Sequence, residues 1–133
     1  MITTILVFAC WILAGTCYAI KDTLAFKFKS SIFRDLNPDY WNPSKSWRNK
    51  YKNRMAYQGP AFIGSTTFLS FLTDAWHLFQ FLGNSFLALS VVVVIQDSLN
   101  LNWWQTLLSF LVVNVSASIV YYPLYNKFFR VKK

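Results

Sequence analysis

Residues 75–96 read AWHLFQFLGNSFLALSVVVVIQ, an uninterrupted run without Asp, Glu, Lys or Arg. Residues 2–20 and residues 98–126 share this property. About 20 helical residues cross a hydrocarbon core of about 30 Å, so each of the three runs is long enough to span a bilayer. We predict an all-α integral membrane protein with three transmembrane helices, at about residues 2–20, 76–96 and 103–123.

The composition of the whole chain agrees with this prediction. Of its 133 residues, 55% are hydrophobic and 14% are charged, whereas about a quarter of the residues in an ordinary soluble domain carry a charge. The high hydrophobicity also excludes an intrinsically disordered chain. The length fits one membrane domain, residues 1–133.

Aromatic residues mark the ends of the predicted spans. Trp103 and Trp104 open the third run, Tyr121 and Tyr122 close it, and Trp76 opens the second. Trp and Tyr prefer the headgroup level of a bilayer. No basic residue precedes the first run, and a secretory signal peptide has such residues. We therefore expect a retained helix there, with a cleaved signal peptide as the alternative.

Basic residues concentrate in two segments. Residues 21–60 hold nine basic and three acidic residues, and the tail at residues 124–133 holds four basic residues. Cytoplasmic segments of membrane proteins carry an excess of Lys and Arg. Three spans place both segments on one side, and the connection at residues 96–102 has neither Lys nor Arg. We predict an inner- or plasma-membrane protein with its N-terminus outside and its C-terminus in the cytoplasm.

The loop at residues 21–60 is too aromatic for a simple linker. We expect it to dock a partner protein or anionic lipid headgroups, to which each nearby basic residue contributes about 1 kcal/mol. Nucleic acid is the disfavoured alternative. Residues 61–75 are expected to form an interfacial helix beside this loop. The candidate lipid- or partner-binding residues are Trp41, Lys45, Trp47, Arg48, Lys50, Tyr51, Lys52, Arg54, Lys127 and Arg130.

Asp74 and His77 are the candidate catalytic pair. Their i, i+3 spacing places both on one helical face, and acidic and His side chains at membrane depth often relay protons or bind ligands. Asp and His could also bind a metal, but two ligands are too few for a closed zinc site. Asp35 and Asp39 lie in the loop on the same side and could supply the missing ligands. The structural alternative is an Asp that caps a helix or pairs with a loop base, beside a His that bonds backbone or headgroups.

Small and polar residues in the predicted spans indicate helix packing. Gly15 and Ala19 form a small-x-x-x-small pair, and Asn114 and Ser118 offer hydrogen bonds between helices. A pore-lining role for Asn114 is the alternative. The sequence contains no phosphate loop, Cys-x-x-Cys or His-Glu-x-x-His motif, so we expect no cofactor and no metal.

The sequence predicts a non-enzymatic subunit or scaffold of a membrane complex, associated with other membrane proteins or with copies of itself. One alternative is a homo-oligomeric pore. The predicted topology and the charged tail resemble the three-span phage holins, although the long aromatic loop departs from the short loops of that class. The other alternative is a lipid-modifying membrane enzyme that uses Asp74 and His77 at the interface.

Overall fold

The computed structural model describes the backbone of residues 2–123 and the side chains of residues 2–113. This part of the chain is helical and contains no β-strand, only an isolated bridge between Tyr51 and Pro60. The prediction of an all-α protein is therefore confirmed. The α-helices are α1 (Ile2–Lys27), α2 (Pro38–Trp41), α3 (Pro43–Ser46), α4 (Ala75–Leu99) and α5 (Trp103–Pro123). Short 3-10 turns occur at Phe28–Ser30, Ile32–Asp35, Trp47–Lys50, Lys52–Arg54, Ala56–Gln58 and Ser70–Leu72.

Two helices, α1 and α4, are long and apolar enough to cross a membrane. Both extend beyond the predicted spans, because neither contains a Pro and neither meets a strong helix breaker at the predicted boundary. Helix α5 begins and ends where we predicted. Its apolar part within the described side chains is Trp103–Val113, which is shorter than a span. A third crossing by α5 therefore stays a prediction.

Most large apolar side chains of α1 and several of those of α4 are exposed, and few in either helix are fully buried. A helix in the core of a soluble protein buries such side chains, and lipid tails would cover them in a bilayer. Along α1 the exposed residues are Ile2, Ile5, Leu6, Phe8, Trp11, Ile12, Leu13 and Phe26, and along α4 they are Phe81, Leu87, Leu89, Val91, Val94 and Leu99.

The described residues fall into two compact units, Ile12–Asn84 and the residues on either side of that range. In the first unit, α1 and α4 run antiparallel, since Tyr18 meets Asn84 while Lys21 meets Trp76. The Tyr18 hydroxyl donates to Asn84 Oδ1 at 2.6 Å. In the second unit, Trp11 Nε1 donates to Ser90 Oγ at 3.2 Å.

A reciprocal capping box starts α5. The backbone N–H of Gln105 donates to Asn102 Oδ1 at 3.1 Å, and the N–H of Asn102 donates to Gln105 Oε1 at 3.0 Å. This arrangement satisfies two donors that a helix start leaves without helical partners. Asn100 provides the preceding turn with a φ of 50°, a conformation that Asn tolerates better than most residues.

Residues 61–75 do not form the expected interfacial helix. They form turns followed by the single 3-10 turn at Ser70–Leu72. Gly64 adopts a φ of 84°, which is incompatible with a continuing right-handed helix. The fully buried Ser65 donates its hydroxyl to the carbonyl of Lys50 at 2.7 Å. The segment therefore folds against the preceding loop.

Candidate functional site

Asp74 caps the N-terminus of α4. Its Oδ1 accepts the backbone N–H of His77 at 2.9 Å, and its carbonyl accepts the N–H of Leu78 at 3.0 Å. A carboxylate at this position satisfies an open helix donor and interacts favourably with the positive end of the helix dipole. The structural role that we weighed for Asp74, helix capping, is therefore present in the fold.

The same carboxylate also orients His77. Asp74 Oδ2 lies 2.7 Å from His77 Nδ1, and the Asp74 side chain is almost completely buried. Burial raises the pKa of Asp74, but the hydrogen bonds and the charge interaction with His77 outweigh it, so that the pKa lies below its ordinary value. An ionised carboxylate accepts but does not donate. Nδ1 of His77 is therefore the donor in this pair.

Asn49 joins the loop to the start of α4. Its side-chain amide donates to the carbonyl of Asp39 at 2.6 Å and to the carbonyl of Thr73 at 2.9 Å. Burial, and after it the negative charge of Asp74, raise the pKa of the Tyr40 hydroxyl. The loop is thus fixed beside the Asp74–His77 pair.

A short hairpin, residues 51–60, projects from this loop. Lys52 N donates to the carbonyl of Gly59 at 3.0 Å, and Ala61 N donates to the carbonyl of Lys50 at 2.9 Å. Asn53 and Arg54 close the turn with positive φ angles of 49° and 61°. The side chains at residues 52–58 are all exposed.

Trp41 belongs to a chain of aromatic rings inside the first unit. Its ring stacks on Phe33 at a centroid distance of 5.3 Å and meets Phe79 of α4 at 6.1 Å. Such ring pairs contribute about 0.5–1.5 kcal/mol beyond the area that they bury. We proposed Trp41 as a docking residue, and the structure places it in the attachment of the loop to α4.

The alternating bases and aromatics of residues 47–51 contact each other. The Arg48 guanidinium lies 5.5 Å from the centre of the Trp47 ring, and Lys50 Nζ lies 5.5 Å from that of Tyr51. These are cation–π distances. The rings of Trp47 and Tyr51 also meet edge to face at 6.0 Å. The four side chains therefore form one contiguous basic aromatic patch.

Each acidic residue of the loop already has a basic partner. The pairs are Lys21–Asp22 at 3.2 Å, Arg34–Asp35 at 3.3 Å and Arg54–Asp39 at 3.1 Å. The hydrogen bond from Arg54 lowers the pKa of Asp39. The loop bases that form no ion pair in the part of the chain described are Lys27, Lys29, Lys45, Arg48, Lys50 and Lys52. The charge of Lys45 also contributes to the lowered pKa of Asp39, after the hydrogen bond from Arg54.

Asp35 and Asp39 do not join Asp74 and His77. Their carboxylates pair with Arg34 and Arg54 instead, and residues 2–113 contain no group of three potential metal ligands. The four-residue cluster that we considered is therefore not formed in this structure.

Within this chain α1 packs through a face that does not include Gly15 and Ala19, so their packing against another copy or another protein stays a prediction. Gly15 and Ala19 are exposed, and nothing lies within 4 Å of a Cβ built on Gly15. Ala14, Cys17 and Leu24 are buried instead, at spacings of 3 and 7 that keep them on one helical face. The side chains of Asn114 and Ser118, and the tail residues Lys127 and Arg130, lie outside the described part of the structure.

Sequence reasoning overlooked Asn49, Ser65 and the pair Tyr18–Asn84. Asn49 reaches Thr73 across 24 positions, and Tyr18 reaches Asn84 across 66. No local pattern identifies partners at such separations. The only available signal was the presence of amide and hydroxyl groups in segments that are otherwise apolar or basic.

Comparison of the chain with protein-family models, with curated proteins and with solved structures finds no match.

Proposed function

We propose that the protein is a non-enzymatic subunit or scaffold of a membrane complex, which docks a partner protein or anionic lipid through its basic aromatic loop. The observation that carries this proposal is the set of six loop bases that form no ion pair among the described residues. They lie on a hydrogen-bonded loop beside two apolar helices. Unmatched cations on an ordered surface favour an anionic ligand.

The order of the loop supports docking over a linker role. Hydrogen bonds from Asn49 and Ser65 and the rings of Phe33, Trp41 and Phe79 fix the loop internally and to α4. A preordered surface loses less conformational entropy when it binds. The contacts of α1 through Tyr18 and Trp11 likewise support a retained helix.

The proposal is tested by crosslinking in native membranes, followed by purification in detergent and native mass measurement. We expect a complex larger than the single chain, or copurified anionic lipid. The double substitution Lys45→Gln with Arg48→Gln should lose that material, because neither cation forms an ion pair in the described structure. The matched control, Arg34→Gln with Arg54→Gln, removes the same charge from residues already paired with Asp35 and Asp39. A bare monomer with a protease-sensitive loop would exclude the scaffold role.

A lipid-modifying enzyme is the second candidate, and the Asp74–His77 geometry favours it. A buried carboxylate that holds Nδ1 of a His leaves Nε2 to accept a proton, as in the general bases of hydrolases. The His77 side chain is partly exposed, at 25%. Phospholipid turnover by the reconstituted protein, abolished in His77→Ala, would support this function. An inert wild-type protein across phospholipid substrates would exclude it.

A further inference from the structure

Within the first unit, two exposed apolar segments adjoin the C-terminal end of α1 and the N-terminal end of α4. The first, residues 26–36, follows from the last turn of α1, and the second, residues 62–72, leads into α4. We call them together the interfacial collar. Its exposed apolar residues are Phe26, Ile32, Leu36, Phe62, Ile63, Phe68 and Leu72.

Both segments of the collar are at the same end of the antiparallel helix pair. Lys21 of α1 lies 5.9 Å from the centre of the Trp76 ring at the start of α4, and 5.3 Å from that of Tyr18. A Lys among Trp and Tyr rings is typical of the headgroup level. The collar begins within two turns of this point on α1 and ends just before it on α4.

The length of α1 also places its C-terminal end at the headgroup level. Its 26 residues extend about 39 Å, which exceeds the hydrocarbon core of about 30 Å. The last turns of α1, including Phe26 and Lys27, therefore extend into the headgroup region if the helix crosses the bilayer. Ile32 and Leu36 follow within ten residues.

The collar also carries the charge that an anionic membrane surface attracts. Lys27 and Lys29 are exposed and have no carboxylate partner among the described residues. Apolar side chains that alternate with Lys and Arg are typical of segments lying in the interface, with the apolar groups at the acyl boundary and the cations among the headgroups.

We propose that the interfacial collar is a lipid-binding surface, which inserts into the headgroup layer of an anionic phospholipid leaflet while the hairpin at residues 51–60 remains in water. The proposal rests on the proposed function in one respect, since it requires α1 to span the membrane. It divides the loop into two surfaces. The collar binds lipid, and the hairpin is left free for a partner protein.

Spin labels at equally exposed positions test this division. Ile32, Ile63 and Tyr57 are 85%, 90% and 83% exposed, so exposure within the chain does not distinguish them. Each is replaced by Cys in a Cys10→Ala, Cys17→Ala background and reconstituted in phosphatidylcholine vesicles with about a quarter phosphatidylglycerol. Labels at residues 32 and 63 should collide mainly with oxygen, and the label at residue 57 mainly with a water-soluble nickel chelate. Nickel accessibility at residues 32 and 63 equal to that at residue 57 would overturn the proposal.

A fourth label separates failure of the collar from failure of the span. Ile12 is 70% exposed in the middle of α1 and should collide with oxygen alone. If the Ile12 label is in lipid but those at residues 32 and 63 are in water, only the collar is wrong. If the Ile12 label is also in water, α1 does not span, and both proposals fail.

The choice of lipid is tested by charge removal. Lys27→Gln and Lys29→Gln should each weaken phosphatidylglycerol binding about fivefold, the equivalent of about 1 kcal/mol per basic residue near the surface. Lys52→Gln in the hairpin removes the same charge and should leave lipid binding unchanged. Equal losses from all three substitutions would indicate an unspecific charge effect and contradict the division into two surfaces.

Discussion

Asp74 and Asp97 lie at opposite ends of α4. Asp74 precedes the helix, where a carboxylate is favourable, and Asp97 lies in the last turn, where it faces the negative end of the helix dipole. We expect Asp74→Ala to destabilise the protein by about 1–3 kcal/mol, from the lost cap and the lost charged hydrogen bonds. Asp97→Ala, the matched control, should be neutral or slightly stabilising. Thermal unfolding in detergent, followed by circular dichroism, measures both, and equal effects would contradict the capping role.

The lowered pKa of Asp74 predicts a pH dependence with a definite sign. The folded pKa lies below the ordinary value of 3.8, because the hydrogen bonds from His77 outweigh burial. The stabilisation is present above the unfolded pKa and is lost as the pH falls through the folded pKa. The unfolding midpoints of the wild type and Asp74→Asn should therefore differ at neutral pH and converge below about pH 3.8. A difference that persists unchanged into strong acid would contradict a stabilising role for the ionised Asp74 carboxylate.

In the long helices, Ala substitutions at Gly15 and Gly83 distinguish the effect of packing from the effect of helix propensity. A Cβ on Gly83 would lie 3.0 Å from the Tyr18 ring, whereas a Cβ on Gly15 meets nothing within 4 Å. Ala is favoured over Gly inside a helix by up to about 1 kcal/mol. Gly15→Ala should therefore be neutral or stabilising, while Gly83→Ala should be less stable than Gly15→Ala by about 1–3 kcal/mol, since the Tyr18 ring must move.

The hydrogen bond from Tyr18 to Asn84 increases the expected difference in stability between the two variants. At 2.6 Å it holds the ring against Gly83, so the ring cannot move without weakening it. Unfolding in bicelles measures both Gly variants. If Gly83→Ala is as stable as Gly15→Ala, the close approach of the Tyr18 ring to Gly83 is contradicted.

The side-chain amide of Asn49 is one of the groups that attach the loop to the start of α4. Asn49→Ala removes two hydrogen bonds, to the carbonyls of Asp39 and Thr73, at a cost of about 1–3 kcal/mol. The loop should become sensitive to trypsin while α4 stays protected. Gln58→Ala is the control, because the side chain of Gln58 is exposed and bonds only within the hairpin. Equal protection of both variants would show that Asn49 does not hold the loop.

For the whole molecule, the charge distribution predicts sidedness. The basic loop should face the cytoplasm, and the connection between α4 and α5, which has no Lys or Arg, should face the outside. In the Cys-free background, Ser44→Cys should react with an impermeant thiol reagent only from the cytoplasmic side. Ser98→Cys should react only from the outer side, and both side chains are exposed. Labelling of both residues from one side would contradict the topology.

The three long helices and the concentration of charge could be predicted from the sequence, because hydropathy and net charge are sums over neighbouring residues. The runs without charge located α1, α4 and α5, and the i, i+3 spacing brought Asp74 and His77 together. The charge-free runs and the i, i+3 spacing each involve residues of a single continuous segment of the chain.

Which loop residues hold the fold and which stay exposed became visible in the folded chain alone. Trp41 stacks on Phe33, and Asp39 forms an ion pair with Arg54. Asn49 donates hydrogen bonds to two carbonyls that are distant in sequence. These outcomes depend on hydrogen bonds and ring contacts between residues far apart in sequence, whose geometry no local pattern contains. The exposure of the apolar collar residues has the same origin, because exposure is a property of the folded chain.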